Sequence, residues 1–188
     1  MNGAANGDRP RPVHLVAGAT GVIGRRLVRA LLADDAAVRA LARDPASARG
    51  LLGPDVEIHA ADLTRDDDLS DAMAGVEAAY FLVHMLDEGP GYADRELAAA
   101  ERFARAAKQA GVARMIYLGG LGADTGGSPH LDSRHATAEV LREHGPPLTY
   151  FRAAMVVGPG SESYELLRSI GGRLPAVPEP GWLRSRTQ

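Results

Sequence analysis

The sequence predicts a doubly wound α/β domain, a parallel sheet with helices packed on both faces. Three observations carry that expectation. Short apolar runs alternate with longer segments of helical period, strand then helix, five times over. Most of the runs are nearly continuously apolar rather than alternating, which is how strands buried on both faces read. The residues between them are those that start and stop helices.

Taken in order, the strand candidates are Val13–Ala17, Ala37–Leu41, Val56–Ala60, Ala78–Val83, Met115–Leu118 and Leu148–Arg152. The helix candidates between them are Val22–Ala33, Pro45–Leu52, Asp66–Ala74, Tyr92–Ala110 and Leu131–His144. Asp44 stands before Pro45 as a cap, with Pro at a position whose N–H a helix does not need. Asp66 follows Thr64 at another helix start. Gly111 and Gly145 fall just past the two longest helices, where a left-handed residue is favoured. Strand–helix–strand repetition implies right-handed crossovers. The Ala-rich segment Tyr92–Ala110 puts Phe103 and Ala107 on one side and Glu101, Arg102 and Arg105 elsewhere. It reads as a crossover helix that also offers a face to another subunit, a candidate homodimer.

Residues 1–12 hold Gly, Asn, Asp, Arg and Pro without apolar periodicity and read as a mobile arm. Residues 13–160 read as one domain. After Arg152 the rhythm changes, and Leu174–Gln188 carries three Pro and the only Trp, too little periodicity for a core of its own.

Composition narrows the function classes. A net charge of −3 gives no reason to expect nucleic acid or an anionic membrane as the partner. With no cysteine, disulfides, Cys-ligated zinc, iron–sulfur clusters and thiol nucleophiles are excluded. No apolar run has membrane-spanning length and the first residues lack the apolar stretch of a signal peptide, so the expected location is cytoplasmic. Lys108 is the sole lysine among 21 basic residues, so any mechanism needing two lysines is ruled out.

The strongest motif is Gly18-Ala19-Thr20-Gly21-Val22-Ile23-Gly24-Arg25, which leaves the first strand and opens the first helix. Gly18 permits the tight turn, Gly21 lets the backbone approach a pyrophosphate, and Gly24 lets the helix press on the sheet. The helix N-terminus adds unpaired N–H groups and partial positive charge for the phosphates. The spacing is GxxGxxG rather than GxGxxG. A glycine triplet alone also marks ordinary turns; here the required strand precedes it and the helix follows.

Cofactor choice is read at the end of the second strand. Arg43 stands there, suited to a bidentate pair with a 2′-phosphate, and Arg25 is a second candidate. Asp44 is the competing reading, an acid for the ribose 2′-hydroxyl, although it also serves as the next helix's cap. NADP(H) is the expected preference over NAD(H). Asp62 and Leu63, after the third strand, border the adenine in one reading and are a loop Asp beside a core Leu in the other.

These residues resemble the atypical short-chain dehydrogenase/reductase superfamily, in its NmrA-like NAD(P)-binding branch. The matching stretches are GATGVIGRRLV, VRALARD, Asp62-Leu63, AYFLVH, GVARMIYLGG and RAAMVVGPGS, spread over about residues 13–165. The resemblance implies a Rossmann fold with strand order 3-2-1-4-5-6 and a nicotinamide cofactor over the strand C-termini. It places Val83 and His84, and Gly119, Gly120 and Leu121, in loops lining that cofactor. It also implies that residues 161–188 begin a C-terminal substrate lobe, incomplete here either as a natural short form or as a fragment. Classical members use Tyr-x-x-x-Lys and a Ser after strand five. This chain has no such pair, since Ala104 stands four residues before Lys108. His130 falls where the Tyr would be, Arg134 where the Lys would be, and Gly119 or Gly120 at the Ser.

For proton handling during hydride transfer, His130 is the first candidate, with Arg134 one helical turn on to orient a substrate oxyanion. A loop His beside a solvated Arg is the plain alternative. His84, leaving strand four, is a candidate to meet nicotinamide or substrate, and Tyr92 a third donor. Arg152 reaches cofactor or substrate in one reading and closes a sheet-edge salt bridge in the other. His130, Asp132 and His135 match no standard zinc spacing, and no metal is expected. Met73, Met115 and Met155 read as core fillers. Three functions follow: an NADP(H)-dependent oxidoreductase of a small carbonyl or quinone-like substrate; a non-catalytic NAD(P) sensor; and a structural nucleotide-binding subunit like that of respiratory complex I.

Overall fold

The computed structural model describes residues 11–85, 89, 91–121, 129–154, 156, 158–159, 164–165 and 168–169, with the backbone alone described for Pro129 and His130. The elements run β1 (Val13–Ala17), α1 (Val22–Ala33), β2 (Ala37–Ala42), α2 (Pro45–Leu52), β3 (Val56–Ala60) and α3 (Ser70–Met73). Then follow β4 (Val76–Phe81), α4 (Tyr92–Gln109), β5 (Arg114–Gly120), α5 (Pro129–His144) and β6 (Leu148–Ala153). The six strands form one parallel sheet in the order β3-β2-β1-β4-β5-β6.

Alternation along β1 explains the two-faced core. Val16 is buried in a cluster with Val28 and Leu31 of α1, Val38 of β2 and Val56 of β3. Leu15 and Ala17 turn to the opposite face, into the larger cluster that includes Phe81, Phe103 and Tyr117. Phe81 sits 5.3 Å from Phe103 and 6.2 Å from Tyr117 between ring centroids. With both faces covered, the strands need near-continuous apolar sequence. Arg39 in β2 is a charged exception with a structural reason. Its Nη1 donates to the carbonyls of Ala72 (2.6 Å) and Ala74 (2.9 Å), and its Nε to Glu57 (3.0 Å), so it ties α3 to the sheet.

Boundaries differ from the sequence reading where apolarity and backbone pairing part company. β4 spans Val76–Phe81 rather than 78–83; exposed Glu77 hid its start, and Leu82 and Val83 are apolar because they pack against the two core clusters. β5 extends through Gly119 and Gly120, which pair with Arg152 and Ala153. The helix expected over 66–74 shrinks to the single turn Ser70–Met73. The acids before it are used locally, Asp67 accepting from the N–H of Asp62 (2.7 Å) and Asp68 from that of Ser70 (2.9 Å). α5 starts two residues earlier than expected.

Asp44 does cap α2, one carboxylate oxygen accepting from the N–H groups of Ala46 (3.0 Å) and Ser47 (3.1 Å). Gly111 is left-handed at φ 73°, but Gly145 is not; it is needed because a Cβ there would lie 2.0 Å from the Met115 side chain. Of the expected arm, Arg11 and Pro12 are described: Pro12 accepts from the Ala37 N–H at 3.0 Å, and Arg11 pairs with Asp35 at 3.2 Å. Met73 and Met115 are fully buried, as core fillers should be, whereas Met155 and residues 171–188 lie outside the described residues.

Candidate functional site

The site begins with how three glycines fold. Gly18 has φ 83°, and a Cβ on it would lie 2.7 Å from the Leu82 carbonyl group. A Cβ on Gly24 would lie 2.2 Å from the Gly18 carbonyl oxygen. These two are fixed by the turn and by close packing. Gly21 is different. Its φ of −67° and ψ of 169° suit any residue. Apart from chain neighbours, a Cβ on it would meet only the Gly18 carbonyl oxygen, at 3.3 Å. The space beside Gly21 belongs to a cleft rather than to the protein core.

That cleft has a volume of about 530 Å³, within the usual range for ligand sites. It is lined by Gly18, Thr20 and Gly21 of the turn, Arg43 after β2, Asp62 and Leu63 after β3, and Val83 and His84 after β4. Sites predicted from segments up to about 65 residues apart therefore meet in one hollow at the strand C-termini, where open α/β sheets hold ligands. The first-turn N–H groups of α1 have no intrahelical acceptor, no side chain among the described residues caps Gly21, and no acid occupies the first turn. No acid of the first turn offsets the positive end of that helix.

Two acids at the cleft rim are engaged by their own loops. One oxygen of Asp44 caps α2. Asp62 Oδ1 accepts from the Thr64 hydroxyl (2.7 Å) and N–H (2.9 Å); these bonds, aided by the charges of Arg43 and Arg65, hold the carboxyl below its ordinary pKa despite partial desolvation. Leu63 is largely buried in the core while still bordering the cleft. Arg43 is exposed.

Several predicted residues lie off the cleft wall. Ala19 is buried, and Val22, Ile23, Gly24 and Arg25 form the first turn of α1 behind the glycine loop. Gly119 and Gly120 are packing glycines: a Cβ on the first would lie 2.6 Å from the Tyr150 ring, and on the second 2.4 Å from Leu131. Arg152 is exposed on β6, paired in register with Gly119. Tyr92 packs half-buried against the core. The side chain of His130 is outside the described residues.

Arg134, expected to orient a substrate, makes contacts within the protein. It is buried on α5, with its guanidinium on the Leu118 carbonyl, 3.5 Å from Glu96 Oε1 and 5.0 Å above the Tyr117 ring centroid. It ties α5 to β5 and α4. Burial raises the pKa of Tyr117, whose hydroxyl donates to the Arg134 carbonyl at 3.2 Å.

Sequence reasoning missed Glu96, a fully buried carboxylate on α4. Its Oε2 accepts from the Met85 N–H at 3.1 Å and lies 3.7 Å from His84 Nδ1. Its Oε1 accepts from the Thr137 hydroxyl at 3.1 Å. Nothing in the local sequence marks it except a charge on the face that also carries buried Ala99, Ala100 and Phe103. Also unforeseen, Tyr150 stacks on Tyr117 at 5.4 Å and meets His135 Nδ1 at 3.1 Å. Among the described residues no group of three or more His, Asp or Glu could hold a metal, and no helix is long and apolar enough to cross a membrane.

The parallel sheet, the glycine turn and the cleft define a nucleotide-binding α/β domain. A dinucleotide fits it: Gly21, at the N-terminal end of α1, leaves open the volume a side chain would fill, and Arg43 lines the same cleft. A sequence model described as NAD(P)H-binding matches residues 18–168, and the chain belongs to that NAD(P)H-binding family.

Sterol demethylase protein B of Methylococcus capsulatus is 34% identical over 113 residues, covering 58% of this chain and 34% of that protein. Triphenylmethane reductase of Citrobacter sp., whose structure is also known with NADP(H), is 28% identical with a TM-score of 0.64, covering 76% of this chain and 49% of that one. A mutant NmrA, 23% identical with a TM-score of 0.63 over 77% of this chain and 46% of its own, shares the fold. The fold is that of the atypical short-chain dehydrogenase/reductase and NmrA-like group. The chain spans about a third to a half of the length of these proteins.

Proposed function

We propose that the chain is an NADP(H)-dependent oxidoreductase of a small carbonyl or quinone-like acceptor that works without a Tyr-x-x-x-Lys pair. The observation that carries this reading is the single cleft shared by the glycine turn, Arg43 and His84. The turn and the α1 N-terminus hold the pyrophosphate. Asp44 is already engaged as a helix cap, which favours Arg43 as the contact to a 2′-phosphate. Asp62 and Leu63 border the adenine. Because dinucleotides lie across the point where strand order reverses, the β4 end of the cleft receives the nicotinamide, beside Val83 and His84.

When bound in its reduced form, the dinucleotide supplies a hydride. The chain's part is to position the acceptor, limit water and deliver a proton, with His84 as donor and His130 as the second candidate. The similarity to triphenylmethane reductase supports a reductase reading. One observation favours a second reading, an NAD(P) sensor of the NmrA kind: Arg134, at the position of the classical Lys, is occupied in structural contacts.

A panel of quinones and aldehydes with NADPH separates the two readings. Acceptor-dependent loss of nicotinamide absorbance that falls at least tenfold in His84→Ala supports the oxidoreductase; tight binding with no turnover supports the sensor. Arg43→Ala is expected to weaken NADPH about tenfold or more while changing NADH little, by loss of a charge-assisted phosphate contact. Unchanged NADPH affinity would remove the 2′-phosphate assignment.

A further inference from the structure

We propose that Leu51 is the second wall of a slot for the purine base, so that adenine is held between Leu51 of α2 and Leu63 after β3. This deepens the dinucleotide part of the oxidoreductase reading and rests on it. Among the described residues the exposed large apolar side chains are Ile23, Leu51, Leu121, Phe151 and Val156, and of these Leu51 alone lines the cleft. Leu51 is 45% exposed, and α2 does not need it for anchoring. Ala48 is fully buried, and Leu52 packs against the core cluster on the α1 face. An aliphatic side chain left in water at the wall of a ligand-sized hollow gains free energy when the apolar surface of a ligand covers it.

This end of the cleft suits a flat, weakly polar ring. Ser47, Ala48 and Leu51 share one face of α2, at positions i, i+1 and i+4, and all three line the hollow. Ala42 and Ala61, at the ends of β2 and β3, line it too, joined by a hydrogen bond from the Ala61 N–H to the Ala42 carbonyl at 3.1 Å. Short side chains there leave space that larger residues would fill. Asp62 Oδ1 is committed to the Thr64 hydroxyl and N–H, and one oxygen of Asp44 to the α2 cap. The contacts offered to a ring are therefore mainly aliphatic. Both walls are braced from outside the cleft. The Asp44 cap fixes the start of α2, and near its end Arg49 Nη1 donates to the carbonyls of Val56 (2.6 Å) and Pro54 (3.3 Å). Behind Leu63, Arg102 of α4 donates from Nη1 to the Leu63 carbonyl at 3.0 Å. Walls fixed before the ligand arrives leave little ordering to be done when the base enters.

The test is calorimetric titration of the wild type, Leu51→Ala and Leu51→Asn with two probes that share the base, adenosine 5′-diphosphate and adenosine 2′,5′-bisphosphate. Leu51→Ala is expected to weaken both probes by the same factor, about fivefold, because the contact it removes is to the base they share. Leu51→Asn, close to leucine in size but polar, is expected to lose at least as much. Both variants should fold, since the side chain lies outside the two core clusters. Affinity of Leu51→Ala equal to that of the wild type for both probes would overturn the proposal. A loss confined to the bisphosphate overturns it too, because it puts Leu51 beside the phosphate rather than the base. Wild-type affinity in Leu51→Asn overturns the apolar contact, and so does a wild type that binds NADPH but neither probe. Failure of folded wild-type protein to bind NADPH overturns the dinucleotide reading itself.

Discussion

The two halves of the cleft are built by different means. The β1–α1 side is made of backbone: a left-handed Gly18, a helix pressed onto it at Gly24, and an open position at Gly21. The β4 side, Leu82 to Met85, rests on side chains from distant segments behind the cleft wall, Glu96 of α4 reaching residues 11 positions before it and 41 after it. Backbone-built sites are written in consecutive residues, whereas side-chain networks appear only when the chain has folded.

The largest expected effect lies in the side-chain half. Arg134→Met leaves Glu96 buried without its guanidinium partner and should cost about 3–5 kcal/mol, read by chemical denaturation. Near-wild-type stability would mean that the Glu96 network does not hold α4 to α5. In the backbone half, Gly18→Ala forces a Cβ to within 2.7 Å of the Leu82 carbonyl group at positive φ and should cost about 3 kcal/mol. A folded Gly18→Ala protein with unchanged melting temperature would break the claim that this turn admits only glycine. Asp44→Ala removes the α2 cap and should cost about 1 kcal/mol, with little change in NADPH affinity if capping is its role.

The smallest effect is a pH dependence. Burial lowers the pKa of His14 from 6.5, a hydrogen bond from His59 lowers that of Glu57, and Thr64 lowers that of Asp62. All three folded values lie below the unfolded ones, so the stability they contribute is present at neutral pH and lost as pH falls. The loss should begin near pH 6.5 with His14 and deepen below about pH 4.5 as the two carboxylates protonate. A melting temperature that rises on acidification would contradict the assignment of these contacts.

The same contrast explains what could be read from the sequence. The parallel sheet, both long helices and the glycine turn were legible because burial on two faces and tight turns restrict residue choice over short windows, whereas the strand order came only with the family resemblance. Asp44 was legible as a cap because capping is local. The surroundings of Arg134 were not legible because spacing along α5 places it on a helix face but does not say whether that face meets a ligand or Tyr117 and Glu96. Gly145 was misread for the same reason: a glycine after a helix signals either backbone freedom or lack of room, and Met115 makes it the second. Glu96 was invisible because its meaning depends on a loop and a helix that arrive from elsewhere in the chain.

Calorimetric titration of the wild type and of Gly21→Ala with NADPH tests the dinucleotide cleft most directly, because this substitution suits the backbone and adds only a methyl group to the cleft wall. The account predicts saturable binding by the wild type and affinity at least about tenfold weaker in an equally stable Gly21→Ala. No heat with NADPH or NADH from folded wild-type protein, or equal affinity in the two proteins, would contradict it.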